Sequence, residues 1–248
     1  GAKFNVGKKL DVRFESRVCV GQALSDIQQE SQPINAEFTV DNDSTFTNSY
    51  LFVNNASKVN IKGNATFNDA SQISVAGGSE LTVGTVGTEG TNLIIYNSPL
   101  SRKNVLNKIT DGSSITVNGD LNMMGLYKEG AYDENTNAQD YFSNSLYISA
   151  EKEDGSIGTG STMHVIGDVN LTDNSHLYTQ TYGQDSTDSE SYSSRSESEF
   201  EGNVNVDYNS RFGVYSASDS TVDGDITAKN GSSVQVRNSE ASLYVQGN

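Results

Sequence analysis

The chain has 248 residues, a formal net charge of −16 and only 34% apolar residues. So acidic a chain lacks the basic surface that displaces counterions from phosphates, which excludes nucleic acid as a bulk partner and disfavours anionic lipid. No stretch approaches the roughly 18 apolar residues of a membrane span, and the single cysteine, Cys19, can make neither an internal disulfide nor a cysteine zinc site.

The first 45 residues carry short alternating runs (Phe4 and Val6, then Leu10, Val12 and Phe14). Between them and the rest lies residues 22–30, where Ala23, Leu24 and Ile27 share one face of a predicted short helix. This region lacks the repeat found downstream and is read as a cap or as irregular first coils.

From residue 46 to 248 the chain repeats. Gly63-Asn64, Gly119-Asp120, Gly167-Asp168, Gly202-Asn203 and Gly224-Asp225 each lead an alternating triplet such as Val169-Asn170-Leu171. In four copies a serine stands eight positions after the glycine: Ser71, Ser175, Ser210 and Ser232. Upstream, Ile61, Val117, Val165, Phe200 and Val222 stand two residues before it, and Val59, Ile115, Met163, Ser198 and Ser220 four before. Period-2 alternation means strands with one buried face. The last two glycines are 22 residues apart, and three short strands in that length fit one coil of a parallel β-helix rather than a propeller blade. The spacing of 48 between Gly119 and Gly167 reads as nearly two coils, and that of 35 between Gly167 and Gly202 as one coil plus an insertion. Glycine is expected to supply a positive φ at the corner. Outward Thr66, Asn122, Asn170, Asn205 and Thr227 are placed to form side-chain ladders.

Three insertions break the alternation, at about 98–110, 127–154 and 183–199. The first opens with Ser98-Pro99, a helix start signal, and holds Arg102, Lys103 and Lys108, a basic spot suited to another acidic copy or to simple solvation. The second is rich in tyrosine; Tyr127, Tyr132 and Tyr141 are candidate ligand contacts, because tyrosine offers a flat apolar face with a polar tip. The third, flanked by Tyr182 and containing Tyr192, is acidic and of low complexity; its abundant oxygens make Ca²⁺ a candidate cofactor, though no calcium-loop spacing occurs. No GxSxG, HExxH or P-loop motif is present. His164 and His176 take outward slots, and the slot of His176 holds Gln72, Arg211 and Ser233 in other copies, which reads as solvated surface rather than a catalytic site.

The units Ser113 to Leu121 and Ser161 to Leu171, with their descendants to Val245, resemble the passenger region of bacterial autotransporter adhesins. The resemblance implies an all-β, right-handed parallel β-helix and a cell-surface or secreted location. It also implies a non-catalytic role in adhesion to host proteins or glycans, or in self-association. A β-helix polysaccharide lyase or tailspike-type glycoside hydrolase is the first alternative and a structural spacer the second. The chain stops within a repeat-like segment at Gly247-Asn248 and carries neither a signal sequence nor a translocator barrel, so it reads as an excised piece of a longer protein.

Overall fold

A computed structural model describes residues 1–21, 34–88, 90–97, 104–126, 142–152, 154–181, 195–238 and 240–247. These form a parallel β-helix. Its strands lie in three parallel sheets of nine, eight and eight strands, and each sheet takes every third strand of the chain. Eight coils follow in order, at residues 3–20, 37–53, 58–75, 80–109, 114–149, 162–180, 196–215 and 218–237, and Ser242–Val245 opens a ninth. Each coil gives its first strand to the first sheet, its second to the second and its third to the third.

Alternation makes the core. In the first sheet, Val40, Ile61, Val83, Val117, Val165, Phe200 and Val222 stack in one inward column, all fully buried. In the second, Phe46 lies on Phe67 with ring centroids 4.5 Å apart and planes 3° from parallel. A buried aliphatic or aromatic side chain contributes roughly 1.5–3 kcal/mol, and here every coil buries its own only against the coils above and below. Ser198 and Ser220, which replace the apolar residue four before the glycine, are buried. Ser198 meets Thr179 of the third sheet across the core, hydroxyl to hydroxyl at 2.6 Å, so the polar pair satisfies itself.

Three corner ladders hold the coils in register. At the first corner, between the first and second sheets, a side-chain Oδ1 accepts the backbone N–H of the equivalent residue one coil on. Asp43 accepts from Asn64 at 3.0 Å, Asn64 from Asn92 at 2.8 Å, Asn92 from Asp120 at 3.0 Å and Asp120 from Asp168 at 2.9 Å. Asp168 then accepts from Asn203 at 2.7 Å, and Asn203 from Asp225 at 2.9 Å. At the second corner the serines eight after glycine act in the opposite sense: the Ser71, Ser210 and Ser232 hydroxyls accept the N–H of Ser49, Ser175 and Ser210 in the preceding coil. At the third corner Ser57, Ser79, Ser113 and Ser196 do the same for Ala36, Ser57, Ser79 and Ser161.

The glycine expectation needs correction. Gly63, Gly119, Gly167, Gly202 and Gly224 do not have positive φ. They are glycines because a Cβ would run into the backbone of the coil before: at Gly119 it would lie 2.0 Å from the Thr91 carbonyl oxygen, and at Gly167 2.7 Å from the Gly119 carbonyl carbon. Among the described non-glycine residues positive φ occurs instead at the other two corners, on pairs such as Asp69-Ala70, Asp173-Asn174 and Asn55-Ala56.

Strands also reach into the segments read as insertions. Val105–Ile109, expected to continue a helix from Ser98, is a strand of the third sheet. Asn107 points into the core there, where its Oδ1 accepts the Ile73 N–H at 2.9 Å. Asn144–Ser149 and Ser196–Phe200 are strands too. The 48-residue spacing is thus one coil with two long corners, not two coils, because residues 114–117 pair directly with residues 162–165. Residues 1–45 supply the first four strands of the same sheets and begin the fifth. The helix expected at 22–30, and the Ser98-Pro99 helix start, lie outside the described residues.

Candidate functional site

The three outward faces differ in chemistry although their inward faces are alike. Facing out from the first sheet are Glu37, Glu80, Glu197, Glu199 and Asp219. Some are paired: Lys3 lies 2.7 Å from Glu37, and Lys58 2.8 Å from Glu80. Facing out from the second sheet, Asn205 donates to Asn170 at 2.9 Å and Asn170 to Asn122 at 2.9 Å, the ladder expected from their spacing. The eight strands of the third sheet contain no Asp or Glu. Their outward slots hold Arg17, Tyr50, Phe52, Leu106, Lys108, Tyr147, His176, Arg211 and Arg237, together with Tyr178 and Tyr215, which are covered and buried.

Along this third face lies a groove of about 600 Å³, within the range of about 300–1,000 Å³ typical of ligand pockets. It runs along the rod axis from Arg17 and Cys19 in the first coil to Gln180 in the sixth. Alternating size shapes it. Ser74, Ala76, Thr110 and Ser149 are small and leave a depression, while Phe52 stands one coil before Ser74 in the same column up the rod and Tyr147 two coils after it. Lys108 and Lys152 line it, and so does one carboxylate, Glu151. Gln180 is 4% exposed, lines the groove, and its side-chain carbonyl oxygen has no hydrogen-bond partner.

Beyond Tyr147 the face becomes an aromatic cluster. Tyr147 packs on Tyr178 at 4.9 Å and Tyr178 on Tyr215 at 5.5 Å. The Tyr215 ring folds over Gly213, where a Cβ would come within 2.6 Å of it; only glycine leaves that space. Burial pushes the Tyr147 phenol up to about 12, with smaller contributions from the neighbouring phenols. His176 lies against Tyr178 at 5.7 Å, and burial, then the Arg211 charge, lower its pKa to about 4. His176 is therefore a half-buried neutral ring, not the solvated surface residue that its variable slot suggests. His164 does face solvent on the first sheet and touches Glu201 at 2.9 Å.

Of the candidates read from sequence, only Lys108 is in the groove. Tyr127, Tyr132, Tyr141, Tyr182, Tyr192, Arg102 and Lys103 lie outside the described residues, as does the acidic 183–194 stretch that prompted calcium. Among the described residues no three His, Cys, Asp or Glu side chains converge as a metal site, and no helix is long and apolar enough to cross a membrane. The sequence reading did not single out Phe52, Tyr178, Gln180 or Tyr215. Their signal was present as bulky aromatic or amide residues in the outward slot of a period-2 strand.

Corner lengths single out the same face. Most corners have two to four residues. Six have eight or more, and five of these border the third sheet, at 21–36, 97–104, 125–143, 150–161 and 181–195; the sixth, 84–92, joins the other two sheets. Two are tied at the base. Leu126 donates to the Phe142 carbonyl at 3.0 Å across an antiparallel bridge, and a second bridge joins Glu151 to Ile157. Compared with protein-family models, curated proteins and solved structures, the chain matches none.

Proposed function

We propose that the chain is the non-catalytic rod of a bacterial surface adhesin of the autotransporter-passenger kind, and that it engages its ligand on the outward face of the third sheet. One observation carries this reading: the groove lies on the third sheet, and five of the six strand-to-strand connections of eight or more residues begin or end on that sheet. Binding residues gather on loops and clefts that a rigid scaffold positions, and here the corner ladders make the scaffold rigid. A binding role is favoured over glycoside hydrolysis because acid–base cleavage of that kind uses two carboxylates, and the described groove wall offers only Glu151.

The test is a panel of immobilised glycans and extracellular-matrix proteins probed with the full chain and with a double variant, Lys108→Glu with Tyr147→Ala. Binding to at least one ligand that the double variant loses, with its circular dichroism unchanged, is the expected result. Binding that the double variant keeps refutes the face. No binding at all assigns the chain to a spacer role, and release of new reducing or unsaturated ends from an acidic polysaccharide assigns it to the lyases.

A further inference from the structure

We infer that the groove on the third sheet takes an acidic glycan, a hexuronate-bearing polysaccharide lying along the rod axis. This rests on the binding role proposed above and names its ligand class.

Charge gives the first argument. Arg17, Lys108 and Lys152 line the groove against one carboxylate, Glu151, in a chain whose net charge is −16. No described carboxylate forms an ion pair with Lys108, and Arg17 is held over the Tyr50 ring, 5.5 Å from its centroid, rather than against an acid. Elsewhere on the rod, cations of the first coils are spent on pairs such as Lys3 with Glu37, Lys9 with Asp43 and Lys62 with Asp41. A cationic strip in an otherwise acidic chain attracts anions.

The shape and the polar groups give the second. Phe52 and Tyr147 present flat apolar faces at two levels of one column up the rod, beside a floor of hydroxyls from Ser74, Thr110 and Ser149. Apolar faces with polar edges are what pyranose rings present, so the rings rest on the aromatics while their hydroxyls reach the floor. Gln180 adds a specific demand. Its buried carbonyl oxygen lacks a donor, and a buried acceptor left without one is destabilising; a sugar hydroxyl supplies that donor.

Topology gives the third. A peptide usually gains its affinity on a sheet by pairing with an exposed edge. The groove lies on a sheet face, where the strands already pair with neighbours above and below. Recognition there must come from side chains, as it does for a glycan. Because the groove follows the stacking axis, with coils about 4.8 Å apart, a polymer lying in it meets cation, aromatic and hydroxyl several times along its length.

Calorimetry on the full chain tests this with a hexuronate tetrasaccharide and its carboxyl-reduced neutral counterpart. The acid should bind at least about tenfold more tightly than the neutral sugar, a difference of 1.4 kcal/mol. Its affinity should fall as salt rises. Lys108→Glu should abolish binding and Gln180→Leu should weaken it, while Lys58→Ala on the first sheet leaves it unchanged; melting curves of all variants establish that they fold. Equal binding of both sugars overturns the acidic class and leaves the binding role standing. So does failure of both sugars when the panel finds another ligand sensitive to the Lys108→Glu, Tyr147→Ala change. Failure of both with no such ligand overturns both. A salt-sensitive dimer in light scattering, lost in Lys108→Glu, gives the groove to a second copy and also overturns the proposal.

Discussion

The second and third sheets have eight strands each and the same inward register, yet they face water in different ways. On the second sheet outward residues serve one another. Asn122, Asn170 and Asn205 form a chain of side-chain hydrogen bonds up the rod, and Asp43, Asn64, Asn92, Asp120, Asp168 and Asn203 of the adjoining corner each bind the next coil's backbone. On the third sheet the outward residues change from coil to coil: Phe52, then Ser74, then Lys108, then Tyr147. Identical neighbours up a stack satisfy each other, and so have little left for a ligand. Unlike neighbours leave depressions, unpaired charges and orphan polar atoms. In a solenoid, regularity marks the support and its loss marks the working surface.

The contrast can be broken most strongly by exchanging inside for outside. Phe67→Ala removes a fully buried ring from the inward column of the second sheet and should cost about 3–5 kcal/mol in urea unfolding. Phe52→Ala removes the same side chain from the outward face of the third and should cost less than about 1 kcal/mol while weakening ligand binding. Equal losses from the two would contradict the assignment of faces.

Next comes His176. Its pKa of about 4 lies below the ordinary 6.5. Between those values the unfolded chain takes up the proton and the folded chain does not, so stability is complete above about pH 6.5 and is lost as pH falls towards 4. His176→Gln, which installs the residue found in the same slot at Gln72, should flatten this part of the acid limb. The difference is on the order of 2 kcal/mol once solvent screening is allowed for. Parallel acid limbs for variant and wild type in chemical denaturation would show that the ring is not buried.

A smaller effect belongs to the corner ladder. Asp120→Ala deletes the acceptor for the Asp168 N–H and should cost about 1–2 kcal/mol. Asp120→Asn should be nearly neutral, since Asn64, Asn92 and Asn203 do the same work with an amide oxygen. Comparing the two variants by thermal melting separates the hydrogen bond from the charge. Smallest of all, Ala70→Gly relieves a left-handed alanine (φ 63°) at the second corner and should stabilise by about 0.5–1 kcal/mol, visible as a small rise in melting temperature.

Much of the support was legible in the sequence, because a support repeats. Val59, Ile61, Ala65 and Phe67 announce their inward positions by alternation alone, and the Gly-Asx spacing located the first corner. The cause at that corner was not legible: glycine there answers to the backbone of another coil, which a single coil's sequence does not contain. Where coils were stretched, as between Gly119 and Gly167, length was mistaken for an added turn of the rod. The groove was the least legible part. Arg17, Phe52, Lys108, Tyr147 and Gln180 are scattered along the chain, and only the parallel register of six coils brings them onto one face. Lys108 stands out in the sequence by its charge alone, and nothing in the sequence places Cys19, which lies exposed at the end of the groove.

That cysteine provides the most direct measurement of the central claim, that ligand binds the third sheet's outward face. It is the only cysteine in the chain, so the rate of its alkylation by a small maleimide reports on this face alone. Saturating ligand from the panel should slow the reaction several-fold, while the thiol of a T66C variant in a Cys19→Ser background, on the second sheet, should react at an unchanged rate. Protection of the T66C thiol with Cys19 left fully reactive would contradict the account.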